Sequence, residues 1–391
     1  MRSVSLLFCH DHRFFVAADG RIYSYGQYDI TILNRYVEIF GDVTIAARGV
    51  ALDEKADLSR YSLCSSENIS FLWMPNLSSL RGLTVDRSAA RRLLVEAVTH
   101  ADVVIARLPS EIGLMALGTA RNLGKPAGAE VVACVWDGLR SHGGLLSRLY
   151  APLAYMRMRR AVATAGWAHY VTQHFLQARY PSTGKTLAAS DVDLPEPDEN
   201  ILSRRLARIS AAGPVTFGMI AALFHKEKGI DVAIKAFARA RSERPDIRLK
   251  VLGPGDSAPW RKLARELGVE ESVEFCGSLP RGEAVLKWID GIDVYVQASF
   301  QEGLPRALME AMSRACPALA SSAGGTAELV EAECLHRPGD RKTLAQQMIS
   351  ACDIGWLHHS AARNFAVSGT YSSKRLREFQ VEFWRKIMSS P

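Results

Sequence analysis

The sequence predicts an α/β protein made of two parallel-sheet halves. Short apolar runs alternate with stretches of helical spacing along the chain. A proline-rich acidic stretch, residues 191–200 ("DVDLPEPDEN"), interrupts that alternation once near the middle. The length, 391 residues, exceeds what one core usually holds.

In the first half, "VSLLFC", "VTIAARG", "DVVIARLP" and "EVVACVWD" read as strands. They lack apolar–polar alternation, as strands covered by helices on both faces do. "ITILNRYVEIF" and "DRSAARRLLVEAVTHA" carry helical spacing between them. The second half repeats the style. "GPVTFGMIAA", "DIRLKVLG", "SVEFCGS", "DVYVQAS" and "CPALASS" are its expected strands. "GIDVAIKAFARARSERP", "APWRKLARELG", "RGEAVLKWID" and "LPRALMEAMSRA" are its helices. The expected division is residues 1–195, 196–368 and a terminal helix over 369–391. A cleft at the carboxyl ends of two such sheets is where doubly wound folds bind ligands.

Composition narrows the function. The apolar share is 48% and the charged share 23%, the balance of an ordinary globular chain. No run approaches the ~18–20 apolar residues of a membrane span. The apolar run from Val4 to Cys9 is too short for a signal-peptide core, so a cytoplasmic protein is expected. Seven scattered cysteines without a CxxC pair point to reduced thiols, not a disulfide frame or zinc site. The net charge, 48 − 41 = +7, suits phosphates or an anionic membrane surface. No nucleic-acid-binding motif accompanies it, so that partner is not expected.

The densest local signal is "QEGLPRALMEAM", residues 301–312. Pro305 suits a first helical position, and the helix it opens presents N–H groups and a positive dipole end. Gly303 lets backbone approach a ligand. Glu302 sits on the loop before the helix, and Glu310 falls in its second turn. A loop carboxylate can contact sugar hydroxyls, and a helical one can accept two adjacent hydroxyls such as those of a ribose. Capping plus a solvated face is the alternative reading. Upstream, "LFHKEKGID" sets Lys226 and Lys228 just before Gly229 and a helix. "LGPGDSA" spells G-x-G-x-x-A after a strand, with Glu274 about twenty residues on. Pro254 inside that turn and Pro259 after it argue against a dinucleotide site.

The run "DVYVQASFQEGLPRALMEAMSRACPALASSAGGTAELV" resembles retaining glycosyltransferases of family 4. Their signature is a Glu, seven residues and a second Glu, followed by Gly-Gly-x-x-Glu, here Gly324, Gly325 and Glu328. The likeness is closest to transferases of capsular and exopolysaccharide assembly. "VVIARLPSEIGLMA" and "YVTQHFLQARYPSTGK" share the look of that group. The resemblance implies two facing Rossmann-like domains, the GT-B architecture, with acceptor bound by the first and donor by the second. It implies a last helix crossing back to the first domain. Glu302 then faces the donor sugar, Glu310 holds the nucleotide ribose and Lys228 stabilises the diphosphate. Gly303, Leu304, Pro305, Ser299, Lys226, Gly325 and the glycine turn at Gly253 surround the donor. Relatives build repeat units on a polyprenyl diphosphate at the inner membrane leaflet, which implies a lipid-linked glycan acceptor and peripheral membrane association. No cofactor and no essential metal are expected.

This chain departs from the family pattern twice. Many relatives carry an Arg six residues before the Lys of the Lys-Gly pair; here that residue is Ala222. Many place a His where this chain has Trp136-Asp137. Asp137 is the candidate to take that polar role on the first half. Arg107, at a strand end, is a candidate for phosphate or acceptor, with a buried ion pair as the equal alternative. Tyr25, Gly26 and His142 are the remaining acceptor-side candidates. "LSRLYAPLAYMRMRRAVATAGW" mixes arginines with Leu, Tyr and Met; a face on anionic lipid and a helix packed on its own domain both fit. A sugar-nucleotide epimerase, an NAD-linked oxidoreductase and a catalytically degenerate sugar-nucleotide-binding subunit are the rival functions.

Overall fold

The structure is a computed structural model. It describes residues 4–389 except 26, 27, 54, 59, 60, 143 and 212; the side chains of 80, 83 and 142 also lie outside the description. The first sheet contains β1 (Val4–Val16), β2 (Ile22–Ser24), β3 (Gly41–Ala51), β4 (Ser62–Leu63), β5 (Ile69–Trp73), β6 (Val103–Leu108), β7 (Ala127–Val131), β8 (Trp167–Tyr170) and β9 (Lys185–Ala188). Its parallel body runs β5-β3-β1-β6-β7-β8-β9. β2 pairs antiparallel with the far end of β1, and β4 with β2. Leu6 and Phe8 point to one face and Leu7 and Cys9 to the other, each into its own core. Burial on both faces is why β1 begins as an unbroken apolar run.

The second sheet contains β10 (Thr216–Ile220), β11 (Arg248–Leu252), β12 (Val273–Phe275), β13 (Val294–Gln297), β14 (Ala318–Ser321) and β15 (Leu335–His336). Its order is β12-β11-β10-β13-β14-β15, all parallel. That is the strand order of a dinucleotide-binding sheet, and it reverses direction between β10 and β13. Two parallel α/β sheets facing a cleft make the expected GT-B architecture.

The last helix, Ser373–Ile387, lies on the first sheet. Trp384 is buried there against β7, where a Cβ at Gly128 would come 2.4 Å from its ring. The chain reaches it beside the stretch after β9: the Ser373 N–H donates to the Leu194 carbonyl at 3.1 Å.

The structure corrects local expectations. The strand expected over "VSLLFC" does not stop at Cys9. β1 continues to Val16 across an irregularity between Cys9 and Arg13, because Phe14 is buried and Phe14–Val16 pair with both β2 and β3. "EVVACVWD" is not one strand. β7 ends at Val131, and a helix, Val135–His142, starts within the apolar run. A short apolar run does not by itself separate strand from buried helix. Asp137 therefore sits in a first helical turn, not at a strand end. Pro305 stands at the cap, one residue before the helix Arg306–Ser313.

Candidate active site

The reversal between β10 and β13 brings two loops together at their carboxyl ends. A 3-10 turn, Lys226–Lys228, follows β10, and the loop carrying Ser299 to Leu304 follows β13. The Phe300 N–H donates to the Glu227 carbonyl at 2.7 Å. Gly229 has φ +69°, and a Cβ there would lie 2.1 Å from the Ala298 carbonyl oxygen. Only glycine permits this approach.

The contact sets Lys228 Nζ 2.8 Å from Glu302 Oε1. Gln297 Nε2 donates to the same oxygen at 2.7 Å and to Ser299 Oγ at 2.7 Å. Tyr295 Oη holds Gln297 by donating to its Oε1 at 3.0 Å. A row of side chains from the strand thus fixes the carboxylate, and the ammonium lies against it at the sheet's switch point. Such charge-assisted contacts are short and directional.

Glu310 lies half-buried in the second turn of the helix Arg306–Ser313. Burial pushes its carboxyl above the usual range, and the nearby guanidinium groups of Arg306 and Arg281 pull it back. Among the described residues, no hydrogen bond or ion pair engages its carboxylate oxygens. Buried polar groups left open in this way ask for a ligand or water.

Glycines let the loop touch its surroundings. A Cβ at Gly303 would lie 1.9 Å from the Val132 carbonyl oxygen of the first half. The Gly325 N–H donates to the Gly303 carbonyl at 2.7 Å. From the same turn, Glu328 accepts the N–H groups of Gln173, His174 and Phe175 at 2.6, 3.0 and 2.7 Å. A carboxylate of the second half thereby caps the helix Phe175–Arg179 of the first. Gly253 follows β11 at φ +158°, with a Cβ position 1.9 Å from the Ala221 carbonyl oxygen, so the glycine turn abuts the end of β10. Leu304 is buried and the Pro305 carbonyl accepts the Met309 N–H at 3.2 Å. Lys226 is exposed, and no acidic partner meets it among the described residues.

The first half contributes differently. A cavity of about 430 Å³ opens between the halves, with Tyr28, Arg107, Glu130 and His169 on one wall and Glu302 and Arg306 on the other. Arg107 is held by Asp191 and by Glu130 at 3.2 Å. The Tyr36 hydroxyl donates to Glu130 at 2.6 Å. The ion-pair alternative is thus what the side chain makes. Asp137 faces Arg179 at 3.5 Å and touches neither Glu302 nor Lys228. Its helix nevertheless borders the site, since Ser141 Oγ lies 3.3 Å from Gln301 Oε1. Tyr25 is an exposed ring set edge-on to Tyr61, off the cavity wall. Gly26 lies outside the described residues, as does the side chain of His142.

Residues 214–353 match the group 1 glycosyl transferases. Protein CapJ of Staphylococcus aureus is 30% identical over 339 residues, covering 86% of this chain and 83% of CapJ. The chain belongs to the group 1 glycosyl transferases. The amylovoran biosynthesis glycosyltransferase AmsK of Erwinia amylovora is 31% identical over 130 residues, 31% of this chain and 32% of AmsK. Among solved structures, HepE of Anabaena in complex with UDP superposes with a TM-score of 0.66 at 16% identity, covering 98% of this glycosyl transferase and 100% of HepE. That likeness is one of fold.

Sequence reasoning missed several parts of this candidate site. Gln297 had a signal: a polar residue in a strand otherwise buried on both faces, two places before Ser299. Arg306 stands next to Pro305. Arg281 and the capping role of Glu328 had none, because their partners are brought by the fold.

Proposed function

We propose that this glycosyl transferase moves a hexose from a nucleoside-diphosphate donor to a lipid-linked glycan, with retained anomeric configuration, as family 4 members do. We place that reaction in the assembly of a capsular or exopolysaccharide at the cytoplasmic face of the inner membrane. The observation that carries the reading is the Lys228–Glu302 pair at the switch point, beside the open carboxylate of Glu310. HepE is also solved with UDP-glucose, and AmsK acts in amylovoran biosynthesis; both support a sugar nucleotide and a polysaccharide product.

In this reading Glu310 accepts the ribose hydroxyls and Glu302 orients the donor sugar. Negative charge grows on the diphosphate as it departs. Lys228 meets it, and Lys226 on the same turn supplies the second cation that Ala222 does not. The departing phosphate takes the proton of the acceptor hydroxyl, so that bond making and breaking share one face. Asp137, Arg107, Tyr25, Gly26 and His142 stay candidates for the acceptor side, Arg107 as a positioning group. With two lysines neutralising the leaving group, no metal is required, and turnover should persist in excess EDTA.

The test is a thermal-shift screen of UDP-, GDP- and dTDP-sugars. A donor at about 100 times its Kd adds about 2.7 kcal/mol to the folded state. Wild type should respond to one base, and Lys228→Ala should lose most of that response. If no sugar nucleotide raises the melting temperature, the reading fails. Proton NMR of the product anomer tests retention.

A further inference from the structure

We propose that His10 binds the acceptor, its Nε2–H donating to a hydroxyl oxygen of the sugar that receives the transfer. That role rests on the transferase reading and gives the first wall a residue that touches substrate. The irregularity in β1 places the side chain. Cys9 pairs with Ala46 and Arg13 with Arg48, so β1 runs through His10, Asp11 and His12 where β3 has Ala47 alone. Extra residues in a strand re-aim side chains, and such bulges gather beside active sites. This one is pinned. The Asp11 carboxylate accepts the N–H groups of Glu111 and Ile112 at 2.6 and 3.1 Å, at the start of the helix Glu111–Asn122. Arg48 Nε donates to the Asp11 carbonyl at 2.6 Å. His10 lines the cavity between the halves, whose other wall carries Glu302.

Hydrogen bonds fix the tautomer of the ring. Nδ1 accepts the His12 N–H at 3.1 Å, and the Tyr28 hydroxyl approaches the same nitrogen at 3.4 Å. Nδ1 therefore presents its lone pair, and the proton of the neutral ring sits on Nε2. Burial, with Arg107, His12 and Arg48 nearby, holds the ring well below the usual histidine range, so it stays neutral. Among the described residues, no acceptor meets Nε2. A donor with a fixed proton and no partner asks for an oxygen. The ring is not a base, because its free nitrogen already carries the proton.

The surroundings favour a hydroxyl. Arg35 Nε, on the same cavity, is buried without a hydrogen-bond partner, although the guanidinium reaches Asp193 at 3.3 Å. Among the described residues, Glu302 is engaged through Oε1 alone. Donors on one wall and an open carboxylate oxygen on the other suit a group that both accepts and donates. The carboxylates of Glu130, Asp191 and Glu302 on these walls disfavour an added anion. Position selects the acceptor. Lys228 and Glu310, which hold the donor in the proposed reaction, belong to the second wall, and His10 faces them from the first.

The experiment compares His10→Asn with His10→Gln. Asn places an oxygen near the Nδ1 position, which keeps the contact with the His12 N–H and loses the outer donor. Gln places an amide N–H near the Nε2 position and loses the inner acceptor. Octyl hexopyranosides of glucose, galactose and mannose serve as acceptor probes. The readout is release of nucleoside diphosphate from the donor found by thermal shift. His10→Asn should raise the KM of the tightest probe about tenfold, the scale of one lost hydrogen bond, with the donor KM and the donor thermal shift unchanged. His10→Gln should keep the probe KM within about threefold of wild type while melting lower. The reverse order, Gln impaired and Asn like wild type, would make His10 structural and overturn the proposal. So would a rise in the donor KM in place of the probe KM, or a wild type that uses none of the probes. A wild type that no sugar nucleotide stabilises would sink the transferase reading and the role of His10 with it. A wild type that responds to donor while His10→Asn turns over normally would sink His10 alone.

Discussion

The two walls of the cleft share a strand topology and use their charged groups in opposite ways. On the second wall, Lys228, Glu302 and Glu310 are each partly exposed, and Glu302 lines the cavity. On the first, Arg107 is closed on Glu130 and Asp191, and Asp137 on Arg179. In the proposed reaction, chemistry falls on one wall and shape on the other. The largest expected effect tests this directly. Glu302→Gln keeps the size of the side chain and removes its charge. It should lower kcat by about 10²–10³-fold, the scale of losing one preorganised electrostatic contact, with the melting temperature nearly unchanged. Wild-type turnover would remove Glu302 from the reaction.

Arg107→Gln sharpens the contrast from the other wall. Glu130 and Asp191 would lose their shared cation in a largely buried site. Breaking such a pair costs about 3 kcal/mol or more of stability. Turnover of the protein that remains folded should fall only a few-fold. A large rise in the acceptor KM without loss of stability would show that Arg107 meets substrate, and the contrast between the walls would fail.

Acid should affect the walls in opposite order. Burial pushes Glu130 and Asp191 up, but His169 and Arg107 at the first and Arg107 at the second hold both below the usual range. Their stabilising contribution is present above the unfolded carboxylate range and is lost only as pH falls through their lowered values. Glu310 is raised instead, so it takes up its proton first as pH falls. A protonated carboxyl accepts fewer hydroxyl donors. Donor affinity should therefore drop several-fold on mild acidification, at a pH where the fold is intact. Glu310→Gln should bind donor about tenfold more weakly and with a flat profile, the scale of one lost charged hydrogen bond. Titration calorimetry across pH with both proteins checks it. A wild-type profile as flat as the variant's would sever Glu310 from the donor.

The same division shows in what the sequence makes legible. The strands of the second sheet read well, because parallel strands covered on both faces are apolar runs and their borders carry glycine and proline. The extension of β1 did not, since His10, Asp11, His12 and Arg13 look like a loop until two partner strands pair with the residues beyond. The break between β7 and the helix at Val135 was hidden in one apolar run. Glu302 and Glu310 were legible because a short motif holds both. Lys228, 74 residues from Glu302, was reachable only through a resemblance. The closed network of Arg107 needs partners from β7 and from the stretch after β9, which no local pattern announces.

The smallest expected effect concerns Glu328, whose partners lie 153 to 155 residues away in the other half. It satisfies three N–H groups at the start of a short helix, the work of an N-cap, but from across the cleft. The buried clusters of both halves would stay intact without it. Glu328→Ala should therefore cost about 1–2 kcal/mol, the value of a helix cap, and part of that cost should appear as motion, not unfolding. Amide exchange at Gln173, His174 and Phe175 should speed up, while β7 and β13 stay protected. The donor KM should rise a few-fold, because the turn that bears Glu328 also supports the Gly303 carbonyl through Gly325. Glu328→Gln keeps one acceptor oxygen and should fall between the two. If exchange at 173–175 is unchanged in the alanine variant, the helix start has another partner. The two walls would still meet at Gly303 and Val132 and at Ser141 and Gln301, and Glu328 would not be what holds the cleft at its separation.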